Sequence, residues 1–214
     1  ELRLYIGIII TSTILVAFNI NASIYRNIWN SLKYSVFQVS SIITTTGFAT
    51  ANFDEWPTFS KVILFLLMFI GACAGSTGGA IKNIRILVLL KLIRRELIKI
   101  IHPRAVIPVK IGQRSLSADM LNGISSFFIL YIMIFVLGTL VISLEGIDLV
   151  SASSAVAATL GNIGPGFELI GPVQNYSFFS VPGKFLLSAF MLMGRLELFT
   201  VIVLFTRKFW SEEL

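Results

Sequence analysis

One cysteine and one histidine in 214 residues leave little catalytic or metal-binding chemistry to draw on. Cys73 has no second thiol for an internal disulfide, and His102 has no companions at metal-ligand spacing. Neither Ser76 nor Cys73 has a neighbouring histidine or carboxylate to activate it, so no enzymatic activity is expected. Charge is scarce as well: 13% of the residues are Asp, Glu, Lys or Arg, against about 25% in soluble domains. A hydrophobic fraction of 56% and a mean hydropathy of +0.87 complete the picture of an integral membrane chain. Its length leaves room for four spanning helices of about 20 residues each. No positively charged leader is present and the chain opens at Glu1, so it reads as a piece of a longer protein.

The net charge of +6 is unevenly spread. Between positions 82 and 114 lie Lys82, Arg85, Lys91, Arg94, Arg95, Lys99, Arg104, Lys110 and Arg114, nine of the 17 basic residues, against the single acid Glu96. The excess borders apolar segments and lacks interleaved aromatics, so it signals topology, and no nucleic-acid partner is expected. Positive charge marks the cytoplasmic side, which puts Asp54, Glu55, Glu145, Asp148 and Glu168 outside.

Along the chain, an apolar run over 4–18, extendable to 22, precedes a shorter helical repeat of Leu32, Val36, Val39 and Ile43. That second segment is about half a membrane long, with a cap at Asn30 or Ser31. Polar residues 51–57 follow, then an inward apolar run from Lys61. The second half repeats the plan, with a span over 120–143, a short helix over 149–160 capped by Asp148, a glycine loop, and a last span over 184–205 that Arg207 and Lys208 end inside. The expected units are residues 1–102, a basic cytoplasmic linker over 103–119, and residues 120–214.

The inward run of the first unit is interrupted by Gly71-Ala72-Cys73-Ala74-Gly75-Ser76-Thr77-Gly78-Gly79. In hydrocarbon each unpaired backbone group costs several kcal/mol, so irregular chain is tolerated only where protein buries it or it lines a watery cavity. The break therefore points to a pathway. Gly75 to Gly79 lacks the Gly-Lys-Ser/Thr of a phosphate loop, and Gly161 to Gly166 lacks the flanking strand and helix of a dinucleotide unit. The two short helices run into the loops 44–50 and 161–166. Their carboxyl ends carry partial negative charge and favour a cation, and glycine-containing extended chain can turn carbonyl oxygens toward an ion in place of water. The bland reading of both loops is a glycine-rich turn between buried helices.

Four motifs, Thr-Thr-Thr-Gly-Phe at 44–48, Gly-Ser-Thr-Gly-Gly at 75–79, Asn-Ile-Gly-Pro-Gly at 162–166 and Gly-Arg-Leu-Glu at 194–197, resemble the carboxyl-terminal half of the Trk, Ktr and HKT potassium transporters, those of TrkH type most closely. The resemblance covers essentially the whole chain. It implies an all-α membrane protein with two helix, pore-loop, helix repeats of a four-repeat, potassium-channel-like fold. It also implies a selectivity filter for K+ at Thr45, Thr46, Gly47 and Phe48 and at Asn162, Ile163, Gly164 and Pro165. Asn and Pro in the second loop depart from the Thr-Val-Gly-Tyr-Gly of strict potassium channels, and looser selectivity is expected. The implied partners are the remaining two pore repeats, a second copy in a homodimer, a TrkA-like cytoplasmic nucleotide-binding ring and the lipid bilayer. The implied location is a bacterial inner membrane, crossed several times.

The gate is expected at Gly71, Gly75, Ser76, Thr77, Gly78, Gly79, Lys82 and Arg195. Aligning Lys61 with Lys184 puts Gly71 and Gly194 at one depth, about 15 Å down a helix and near the midplane of a core about 30 Å thick. Arg195 then sits level with the only broken helix, where a charge in lipid is expensive and must face a pore or a partner. The competing roles are a pairing of Arg195 with Glu197 and a snorkelling Lys82. Ile86, Leu87, Leu90, Ile93, Leu97 and Ile101 form an apolar face that lies along the membrane or meets a partner. The competing function is a secondary carrier whose broken helices bind a small solute or a sodium ion.

Overall fold

A computed structural model describes residues 1–112 and 114–210, apart from the side chains of Arg207 and Lys208. The last four residues of the expected second unit, and the side chains of its terminal cations, lie outside the described residues. The chain is mostly helical. Helix α1 (Leu2–Ile20) runs on through a π-helical turn over Asn21–Tyr25, and α2 (Ile28–Ile43) returns beside it. Helix α3 (Thr58–Leu67) ends at the glycine segment. That segment is bracketed by β1 (Ile70–Gly71) and β2 (Ile81–Lys82), after which comes α4 (Asn83–Ile101). A small hairpin, β3 (Lys110–Ile111) with β4 (Arg114–Ser115), leads to α5 (Ala118–Ser143). Then follow α6 (Leu149–Leu160), α7 (Val181–Leu196), α8 (Leu198–Val203) and α9 (Arg207–Trp210).

Two helical stretches are long and apolar enough to cross a membrane, Leu2–Tyr25 at mean hydropathy 1.8 and Ala118–Ser143 at 2.5. Of the spans expected from the sequence, only these two run uninterrupted among the described residues. The other two crossings are composites. After α3 the chain leaves helical geometry at Phe69, and β1 pairs in parallel with β2, Ile70 opposite Ile81 and Gly71 opposite Lys82. The Ile81 amide donates to the Phe69 carbonyl at 3.1 Å and the Asn83 amide to that of Ala72 at 3.2 Å. This short ladder satisfies backbone groups that lipid would leave unpaired, so the intervening residues form a loop closed at its neck.

The expected single helix over 184–205 is also broken, at Glu197, whose φ is +67° between α7 and α8. A non-glycine residue in that region needs outside support. Here the Glu197 carboxylate is taken by Lys82 at 3.4 Å and Arg85 at 2.9 Å. Both inward segments are therefore interrupted, and the expectation of one broken helix is corrected.

Helix α2 starts earlier than expected. Asn27, rather than Asn30 or Ser31, is its cap, the side-chain oxygen accepting from the Trp29 amide at 3.0 Å. With 16 residues it is about 24 Å long and exceeds a half-span, whereas the 12 residues of α6 cover about 18 Å. Asp148 caps α6 as its position suggested, its carboxylate accepting from the Ser151 amide at 2.8 Å. Burial pushes that carboxyl up, but the bonds from Ser151 and neighbouring amides outweigh it and hold Asp148 below the usual carboxylate range.

Apolar packing forms two large clusters and a small third one of Val88, Val109 and Leu121, and the second loop contributes to both large ones. Ile163 and Phe167, from the second repeat, are buried in the first cluster among Val39, Ile43, Leu64 and Met68. The Phe167 ring meets Phe53 edge-on at 5.5 Å. Helix α6 is buried along nearly its whole length, which its alanines and serines allow by bringing neighbouring backbones close. On α4, Ile86 packs against the second cluster while Leu90, Ile93, Leu97 and Ile101 remain exposed, so only part of its apolar face finds a partner here.

Candidate functional site: two carbonyl turns over a glycine loop

Helices α2 and α6 end in turns of the same construction. At the first, the Thr45 amide donates to Ile42 at 3.0 Å and the Thr46 amide to Ser41 at 3.0 Å. At the second, the Asn162 amide donates to Thr159 at 3.0 Å and the Ile163 amide to Ala158 at 2.9 Å. Both are Schellman caps, with one residue in left-handed geometry, Thr45 at φ +57° and Asn162 at φ +53°. Two residues later each chain turns left-handed again, at Gly47 with φ +74° and Gly164 with φ +109°. Thr45, Thr46 and Gly47 thus correspond one by one to Asn162, Ile163 and Gly164.

The turns are packed against one another. A Cβ added to Gly47 would overlap the Ile163 carbonyl oxygen and lie 3.0 Å from Cδ of Pro165. Among the described residues, the carbonyls of Thr45, Thr46, Gly47, Asn162 and Ile163 accept no hydrogen bond, whereas their amides and side chains are tied down. Ser41 donates to the Phe48 carbonyl at 2.6 Å and Gln38 to that of Ala51 at 3.2 Å, which secures the first loop from behind. In the second loop the Phe167 amide donates to Ser154 at 3.0 Å and the Leu169 amide to Ser151 at 3.2 Å. Outside both loops, Lys61 bridges Asp54 at 3.5 Å and Glu168 at 3.1 Å, so one cation spans the two repeats. Phe48 itself is exposed.

The glycine segment lies against the base of both turns. The Gly79 amide donates to the Thr45 hydroxyl at 3.3 Å, and a Cβ on Gly78 would come within 3.1 Å of the same oxygen. A Cβ on Gly79 would overlap the Gly161 carbonyl, and one on Gly71 would overlap that of Gly79. Glycine is needed at these points because backbone approaches backbone. On the α7 side, Gly194 fits under the Leu160 carbonyl, and the Asn162 side chain donates to the Met191 carbonyl at 3.0 Å. Gly75 differs, with a φ of +83° but open space where a Cβ would go.

Arg195 reaches the loop directly, its guanidinium donating to the Thr77 carbonyl. The charge therefore faces a partner, and the alternative pairing with Glu197 does not form. Glu197 instead joins Lys82 and Arg85, so Lys82 is drawn to a partner rather than snorkelling away. Arg85, which the sequence reading counted only as a topology charge, lies 3.9 Å over the face of Phe127. Its position one turn after Lys82 was the available signal. A cavity of about 150 Å³ opens here, lined by Ser76, Lys82, Arg85, Tyr131, Arg195 and Glu197 among others. The hydroxyls of Ser76 and Tyr131 are buried without a protein partner, which gives the cavity bonding groups for water or an ion. Three cationic side chains face one acid in it, an unfavourable setting for a further cation.

The family described as TrkH, cation transport protein, matches residues 6–214. The Trk system potassium uptake protein TrkH of Salmonella typhimurium is 41% identical over 216 residues, 99% of this chain and 44% of that protein. The TrkH of Halomonas elongata is 44% identical over 181 residues, 85% of this chain and 37% of that protein. The crystal structure of the potassium transporter TrkH from Vibrio parahaemolyticus superposes with a TM-score of 0.88 at 38% identity, covering 98% of this chain and 44% of that one. The chain thus spans less than half the length of these relatives, which are transporters rather than enzymes by name. With its two apolar spanning helices, paired re-entrant turns and end-to-end match, this chain is a multi-pass membrane protein of the TrkH family.

Proposed function

We propose that this chain forms two of the four pore repeats of a potassium uptake transporter, with repeat boundaries near 1–102 and 120–214 joined by the basic segment 103–119. Thr45, Thr46, Gly47, Phe48, Asn162, Ile163, Gly164 and Pro165 make its half of the filter, in which backbone oxygens replace the hydration shell of K+. The observation that carries this reading is the pair of matching turns, packed together with the carbonyls of Thr45, Thr46, Gly47, Asn162 and Ile163 accepting no hydrogen bond among the described residues. The segment Gly71–Lys82, with Gly75, Ser76, Thr77, Gly78 and Gly79 at its centre, is the gate, and Arg195 and Lys82 hold it shut from below. The ion crosses when the Arg195 bond to Thr77 is broken and the loop withdraws toward its neck.

The remaining partners follow from the same reading. Two further repeats complete the ring, a second copy forms the homodimer, and a TrkA-like ring docks on the basic side in the inner membrane of a bacterium. Rubidium uptake into liposomes holding the full-length protein tests the function. Uptake that potassium suppresses strongly and organic solutes leave unaltered is expected. Saturable uptake of an organic solute without rubidium flux would establish the broken-helix carrier instead.

A further inference from the structure

The two turns match in backbone geometry but not in how their outer ends are anchored. In the first loop the Ser41 hydroxyl holds the carbonyl after the glycine, that of Phe48. The corresponding residues in the second loop are Ala158 and Pro165, and alanine has no hydroxyl to offer. The carbonyl of Gly164 accepts instead, from the Tyr176 hydroxyl at 2.5 Å, whereas Gly47 has no equivalent donor among the described residues. Anchorage has moved back by one residue and comes from a different element.

Tyr176 is built to hold this bond. Its ring stacks on Phe179 with centroids 5.8 Å apart and planes 24° apart, and Phe179 is buried and stacks in turn on Phe178 at 4.3 Å. Lys184 donates to the Ser177 carbonyl at 2.7 Å, fixing the adjacent chain to the start of α7. Burial pushes the phenol upward from its ordinary value, so it remains a proton donor across the physiological range. Tyr176, Ala158 and Gly164 share one cavity wall of about 370 Å³, which puts the missing serine and its substitute on the same side of the loop.

We propose that Tyr176 is a positioning residue for ion selectivity, setting the orientation and electron density of the Gly164 carbonyl so that the second loop differs from the first at the glycine level. An accepted hydrogen bond occupies one lone pair of that oxygen and fixes the peptide plane, so the ion meets an unequal ring whose geometry cannot relax to suit a smaller cation. This inference rests on the proposed filter and adds the residue that tunes it.

Potassium, rubidium and sodium fluxes in liposomes of full-length wild type, Tyr176→Phe and Tyr176→Phe/Ala158→Ser provide the test. Tyr176→Phe keeps the ring and its stacking. It is expected to lower the potassium-to-sodium flux ratio about fivefold, the factor that corresponds to one net hydrogen bond. Installing the first loop's serine at 158 is expected to recover part of that ratio by anchoring the Pro165 carbonyl. A Tyr176→Phe protein with an unaltered ratio overturns the inference, whether or not its melting temperature falls. Absence of cation flux in the wild type would instead overturn the proposed function, so the two failures are distinct.

Discussion

Gly47→Ala is expected to abolish selective potassium flux while leaving the protein inserted. The methyl group meets two obstacles. The φ of +74° is left-handed, which costs an L-residue about 1–2 kcal/mol. The larger obstacle is the Ile163 carbonyl, which occupies the space a Cβ would need. Because that carbonyl belongs to the opposite loop, relief can come only by moving the two loops apart, and Ile163 is anchored in the first repeat's core. Gly75→Ala separates the two causes, since Gly75 has a φ of +83° but open space around it. Selectivity should survive at Gly75 and vanish at Gly47, read as the potassium-to-sodium flux ratio in liposomes of the full-length protein. Retained selectivity in Gly47→Ala would mean that the two loops do not share a filter.

Arg195→Ala is expected to raise resting flux. The guanidinium bonds the Thr77 carbonyl of the glycine loop and adds a positive charge to a cavity that already holds Lys82 and Arg85 against one carboxylate. At roughly 10 Å and an effective dielectric of about 20, one charge repels a potassium ion by about 1.7 kcal/mol, a factor of roughly fifteen in its local population. Loss of the loop bond acts in the same direction. Arg195→Lys retains the charge without the planar fork and should fall between wild type and Arg195→Ala. Flux unchanged in Arg195→Ala would reduce the arginine to a structural tie.

Much of this arrangement was legible in the residues because lipid restricts what a backbone can do. The glycine run from 71 to 79 inside an apolar stretch had to be a loop lined by protein, and glycines at 47 and 164 marked where two short helices turn. The cap at Asp148 was equally local, since an acceptor side chain before an apolar helix needs no distant partner. The break at Glu197 was not legible. Leu196-Glu197-Leu198 contains neither glycine nor proline, and its left-handed residue depends on Lys82 and Arg85, more than a hundred positions earlier. Tyr176 was missed for a related reason: it lies in an irregular segment between Pro172 and Pro182, where no periodicity reports a contact. Asn27 was passed over as the α2 cap because exposed Ile28 and Trp29 interrupt the apolar pattern that would have marked the start.

The account depends on peptide oxygens of residues 45–47 and 162–165 facing one ion. Anomalous diffraction from crystals of the full-length protein grown in rubidium measures this directly. Rubidium density between the two turns, within coordinating distance of carbonyls from both, is the expected result. Density confined to the cavity beside Lys82 and Arg195, or to carboxylates at the outer surface, would contradict it.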